Sequence, residues 1–165
     1  MTPEEFNALP EAEARERLAG CLDVSRWVDT VLGGRPYADV GALLTVAGVA
    51  AGSLGDDELA QALARHPRIG ERAGVGHDAA HSASEQAGVQ PGDADVAARL
   101  AAGNRAYEER FDRVFLIRAA GRSGDEILAE LTRRLDNDDE TERAETVQQL
   151  REIALLRLGQ LVGGE

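Results

Sequence analysis

The sequence predicts an all-α protein. Three observations carry this: strand signals are almost absent, helix-forming Ala, Leu, Glu and Arg dominate, and apolar residues recur at spacings of three, four and seven. Aromatic residues make up only 4% of the chain and no β-branched alternating run occurs, so no segment has the pattern of a half-buried strand. With 165 residues, 43% of them hydrophobic, one substantial core can form, and a single domain over 1–165 is expected.

The elements follow in order. Thr2-Pro3-Glu4-Glu5 opens a short first helix, and Pro10 opens a second through Arg17 and Leu18, because proline is tolerated in a first turn. Ser25 or Asp23 is expected to cap a third, ending at Gly33-Gly34. A fourth, from about Asp39 to Ser53, is apolar nearly all round through Leu43, Leu44, Val46 and Val49, which reads as a central buried helix. Asp56 or Asp57 begins a fifth. It should stop where His66 meets Pro67, since the residue before a proline disfavours helical geometry.

From Pro67 to Gly92 the helical period fails, interrupted by Gly70, Gly74, Gly76, Gly88 and Gly92, and a long loop with one helical turn near Ser84 is expected. Loops of that length are usually functional or disordered, and composition leaves both open. Beyond it, Val96, Leu100, Tyr107, Phe111, Val114 and Phe115 mark an amphipathic helix with Asn104 on its stripe, ended by Gly121. Ser123 and Glu126 have capping-box spacing for a helix carrying Ile127, Leu131 and Leu135. Asp136 to Asp139 reads as a turn. The last helix runs from about Glu140 to Val162, burying Val147, Leu150, Ala154, Leu158 and Leu161.

The formal charge of −12 argues against nucleic acid or an anionic membrane as a partner, because both need a basic footprint. All 18 basic residues are arginine, so Schiff-base lysine chemistry is excluded. The lone Cys21 offers no disulfide framework and no cysteine metal site, and reads as core filler. Neither a signal or transit peptide, nor a membrane span, nor a peroxisomal ending is visible, and a soluble cytoplasmic protein is expected. Gly70, Gly74 and Gly76 make no phosphate-binding fingerprint. His77 and His81 are four apart, but a metal site would need them to join His66, and none is expected.

Four polar residues invite a chemical reading. His66 is either a helix-terminal histidine facing the dipole or an imidazole held at the mouth of the loop for proton transfer near neutrality. Glu85 stands three residues after Ser82, as a capping glutamate would, yet Ser84-Glu85-Gln86 also concentrates donors and acceptors in a loop. Arg157 projects between Leu150 and Ile153 beside the apolar stripe of the last helix, so it needs an internal carboxylate, a snorkelling path or a bound anion. Asn104 poses the same choice, and a structural role is favoured.

Taken together, the segments TPEEFNAL, HPRIGER (His66 to Arg72), SASEQAG (Ser82 to Gly88), NRAYEERF, VFLIRAAGRS and LLRL resemble the OHCU decarboxylases, which act on 2-oxo-4-hydroxy-4-carboxy-5-ureidoimidazoline. The order and separation of the pieces carry the resemblance over nearly the whole chain. It implies an all-helical, frequently dimeric fold, a small-molecule ureidoimidazoline substrate, no metal or organic cofactor, and (S)-allantoin as the product of a step in urate degradation. It also implies that His66 assists deprotonation and loss of CO₂, that Glu85 takes part in proton delivery, with the two roles exchangeable, and that Arg157 holds the anionic ligand. Pro67, then Ser82, Ala83, Ser84, Glu85 and Gln86, then Ile117, Arg118, Ala119, Ala120 and Gly121 match substrate-contact regions, the last five through backbone groups. Where the family pattern has glycine after the phenylalanine of its Tyr-x-x-x-Phe segment, this chain has Asp112. The other reading is a non-catalytic helical binding module using the Pro67 to Gly92 loop, which intact His66, Glu85 and Arg157 disfavour.

Overall fold

The computed structural model describes residues 1–70 and 94–163, and among these it contains eight α-helices and no strand. The expected loop beyond Gly70, with its turn near Ser84, lies outside the described residues. The chain divides into two compact units, Met1–Ala62 with Leu150–Glu165, and Leu63–Gln149.

The first unit holds α1 (Pro3–Ala8), α2 (Glu11–Cys21), α3 (Ser25–Gly33), α4 (Val40–Ala51), most of α5 (Asp56–Leu63) and the later part of α8 (Asp139–Gly163). Thr2 caps α1 as its sequence predicts. Its hydroxyl accepts the Glu5 N–H at 3.2 Å while the Glu5 carboxylate accepts the Thr2 N–H at 2.7 Å. The expected cap of α3 is corrected: extended Val24 takes the N-cap position without a side-chain bond, and Ser25 is already helical. Asp39 does cap α4, accepting the Ala42 N–H at 2.8 Å.

The reading of α4 as buried all round is also corrected. Leu43, Ala47 and Ala51 are fully buried, but Val49 is 74% exposed and Leu44 and Val46 are only half-buried. The helix buries one face made mostly of small residues. Its carbonyls at Ala47 and Gly48 accept hydrogen bonds from the Trp27 indole and the Arg151 guanidinium, both at 2.9 Å. High hydropathy shows that a helix tolerates burial, whereas the number of neighbours packed on it decides how much is buried.

The second unit begins at the end of α5 and contains α6 (Ala94–Phe111), α7 (Gly124–Arg134) and the first part of α8. Its core joins Ile69, Val96, Leu100, Tyr107, Phe111, Phe115, Ile117, Ala119, Ile127 and Leu131. Helices α6 and α7 meet at Gly103, where an added Cβ would lie 2.5 Å from Leu131 Cδ2, so any larger residue would force the buried Leu131 side chain to move. The capping box of Ser123 and Glu126 opens α7 as expected.

Two helix ends differ from the sequence reading. Helix α6 stops at Phe111 and does not continue through Val114 and Phe115 to Gly121, because Asp112 adopts a left-handed φ of 53° that turns the chain out of the helix. Phe115 is nevertheless buried, from a non-helical segment, and burial alone is what the apolar spacing detects. Helix α5 ends at Leu63, and the His66 N–H closes a turn onto the Leu63 carbonyl at 3.0 Å. Near the end of α8, Val162 is fully buried and Leu161 half-buried, a small rotation of the expected stripe.

Candidate acid–base site

The histidine segment is held against α6. His66 and Pro67 are half-buried, and the two residues after them are tied down by three separate contacts. The Arg68 guanidinium meets the Glu108 carboxylate at 2.5 Å through Nε and 3.1 Å through Nη2. The Ile69 side chain is buried in the core, and its carbonyl accepts a hydrogen bond from Asn104 Nδ2 at 3.1 Å. Asn104 and Glu108 are four apart on α6 and so share one face. Gly70 adopts φ 89°, a conformation that suits glycine. A carbonyl cannot donate, so the bond to Ile69 determines which end of the Asn104 amide is nitrogen. The other end, Oδ1, is buried and has no partner among the described residues. Asn104 is therefore neither the fully satisfied core residue expected from sequence nor an idle one.

The Ile117 to Gly121 segment is held mainly through its acceptors. The Leu116 carbonyl just before it accepts from Arg134 Nη1 at 2.7 Å. The Arg118 carbonyl accepts from Arg122 Nε at 3.0 Å, that of Ala119 from the Arg122 N–H at 3.0 Å, and that of Ala120 from Arg118 Nη1 at 3.1 Å. The Arg118 N–H donates to Gln149 Oε1 at 2.9 Å. Gly121 sits at φ 78°, a conformation that suits glycine.

Behind this segment lies a buried ionic cluster that the sequence reading missed. Arg134 and Glu142, with side chains 2% and 0% exposed, meet at 2.5 Å. The Tyr107 hydroxyl donates to Glu142 Oε1 at 2.5 Å and Asn137 Nδ2 donates to Oε2 at 3.0 Å. The Arg134 guanidinium also stacks on Phe115, 4.6 Å from the ring centroid. Burial raises the Tyr107 pKa above its usual value, and the hydrogen bond to Glu142 raises it further. A signal for the cluster was present: Arg134 lies three after Leu131 and seven after Ile127, on the apolar stripe of α7.

Arg157 belongs to the first unit. It is 1% exposed on α8, as its angular position predicts, and its Nη1 lies 3.4 Å from the Gly20 carbonyl. Cys21 is a buried thiol, outside any disulfide, that donates to the Arg17 carbonyl, consistent with core filling. Ser82, Ala83, Ser84, Glu85 and Gln86, and likewise His77 and His81, lie outside the described residues. Among the described residues no cluster of three His, Cys, Asp or Glu side chains is placed to hold a metal ion, and no helix is long and apolar enough to cross a membrane.

The class of protein is defined first by its fold. The helices superpose on the crystal structure of an OHCU decarboxylase in the presence of (S)-allantoin with a TM-score of 0.74 at 22% identity, covering 88% of this chain and 96% of that one. They also superpose on an (S)-allantoin synthase with a TM-score of 0.75 at 17% identity, covering 98% of this chain and 54% of that one. Residues 7–159 match the OHCU decarboxylase family, and the chain belongs to that family. A 2-oxo-4-hydroxy-4-carboxy-5-ureidoimidazoline decarboxylase of Haloferax volcanii is 25% identical over 168 residues, covering all of this chain and 98% of its own. A uric acid degradation bifunctional protein of Bacillus sp. is 24% identical over 162 residues, and the chain spans 32% of its length.

Proposed function

We propose that this chain converts 2-oxo-4-hydroxy-4-carboxy-5-ureidoimidazoline to (S)-allantoin with loss of CO₂, a carboxy-lyase step in urate degradation. The family match over residues 7–159 carries the reading, and the clamped His66 segment supports it. The substrate's own chemistry makes a cofactor unnecessary. When the C–CO₂ bond breaks, its electron pair flows into the adjacent ring C=N, whose nitrogen takes up a proton, giving an enol-like intermediate. The hydroxyl then loses its proton to become a carbonyl, and a proton is added to the neighbouring carbon on one face.

What remains for the protein is orientation and proton transfer. His66 assists the hydroxyl's proton movement and loss of CO₂, Glu85 takes part in delivering the new proton, and Arg157 binds the carboxylate in a chain of net charge −12. Pro67 and the Ser82, Ala83, Ser84, Glu85, Gln86 stretch contact the substrate. Along Ile117 to Gly121, the carbonyls of Arg118, Ala119 and Ala120 are already engaged, which favours the N–H groups of Ala119, Ala120 and Gly121 as the donors to substrate oxygens. The whole chain acts as one domain, as a cytoplasmic homodimer without nucleic-acid partners.

The test is to generate the ureidoimidazoline freshly, add the protein and follow the chiral product by circular dichroism. The signal should rise far faster than in buffer. Equal rates would remove the decarboxylase reading.

A further inference from the structure

We infer that Asn104 is a positioning residue for His66, acting through the carbonyl of Ile69; the inference rests on the decarboxylase reading above and extends it to a residue outside the matched site. The argument starts from what this amide contributes. Asn104 is 4% exposed on α6, its Nδ2 donates to Ile69 at 3.1 Å, and its Oδ1 is buried without a partner among the described residues. One neutral hydrogen bond gained is offset by one carbonyl oxygen stripped of water, so little net stability comes from the side chain. A leucine of similar size at the same place would instead extend the apolar stripe of Leu100, Tyr107 and Phe111. What the amide does supply is a directional hold on a backbone carbonyl three residues after His66.

That hold is internal, in contrast to its neighbour. The Arg68–Glu108 pair is solvent-accessible, with side chains 46% and 25% exposed, and surface pairs of this kind restrain weakly. The Asn104 bond is shielded from competing water. Between the Ile69 carbonyl and His66 stand Arg68, whose side chain is held by Glu108, and Pro67, whose φ is locked by its ring. Displacement of the Ile69 carbonyl is therefore transmitted to the imidazole with little slack, and a misplacement of about 1 Å can cost a reaction about a hundredfold.

The test compares wild type with Asn104→Leu, and with Asn104→Ala should the leucine variant fail to fold. Three measurements are made: kcat and KM on the freshly generated substrate, the melting temperature, and the His66 imidazole resonance by NMR, assigned by its loss in His66→Asn. With only three histidines in the chain the assignment is tractable. The expected result is a fall in kcat of about ten- to a hundredfold with KM within about twofold, no loss of melting temperature for the leucine variant, and a shifted His66 resonance. An active wild type whose variant keeps its kcat, or loses only melting temperature, with the His66 resonance unmoved, overturns the inference. A wild type without turnover removes the decarboxylase reading instead, and the NMR shift still decides whether Asn104 positions His66.

Discussion

Replacing Glu142 with glutamine removes one charge from the Arg134–Glu142 pair while keeping length and shape, and the structure sets the scale of the effect. Both side chains are essentially inaccessible, at 2% and 0% exposed, so the Arg134 guanidinium would stay buried with its charge uncompensated. Breaking a buried pair from one side costs about 3–5 kcal/mol. Tyr107 and Asn137 donate to different oxygens of Glu142, and a glutamine has only one acceptor oxygen, so it keeps one of the two as a neutral bond of roughly half the strength and sets its NH₂ against the other donor. The total approaches a third or more of the ~5–15 kcal/mol typical of a domain. Urea unfolding followed by circular dichroism measures it. In the double variant Arg134→Met with Glu142→Leu no charge is stranded, and the cost should fall well below the sum of the two single changes. Its activity should nonetheless drop, because the Leu116 carbonyl loses the donor that holds the following segment. A single-variant cost below about 1 kcal/mol, or a double variant costing the full sum, would refute this account.

Asp112→Gly should stabilise the chain by roughly 0.5–1 kcal/mol, since an L-residue at φ 53° carries strain that glycine lacks; a lowered urea midpoint would contradict this. Tyr107 has a pKa raised chiefly by burial and secondarily by Glu142, so its contribution is fully present below the usual tyrosine value of 10.0 and is lost as pH rises through the higher folded value. Stability above pH 10.0 should therefore decline less steeply in Tyr107→Phe than in wild type, in a chain with no lysines to confuse the titration. His66→Asn and Glu85→Gln should each lower turnover about 10²- to 10⁴-fold with helical circular dichroism unchanged; unaffected turnover in either would remove that residue from the acid–base role.

The capping box at Ser123 was legible because a cap is a local bargain among residues three apart. The end of α6 was not: Val114 and Phe115 sit at helical spacing from Phe111, and only the backbone angle at Asp112 removes them from the helix. Arg157 announced itself by lying on an apolar stripe, and it is indeed buried. Arg134 lies on a stripe too, but its partner Glu142 stands eight residues on, and only the fold brings the two into contact.

The sequence by itself determined the all-α class, most of the helix starts and the order of the motifs that place the chain in its family, because periodicity, capping and motif spacing are properties of near neighbours along the chain. Tertiary structure decided which face of α4 is covered, that α6 and α7 touch at Gly103, and that the HPRIG segment is tied to Asn104 and Glu108 thirty-five and forty residues away. Such contacts depend on which distant surfaces are packed together and on whether a polar group still has water to bond, and neither is written in any local run of residues.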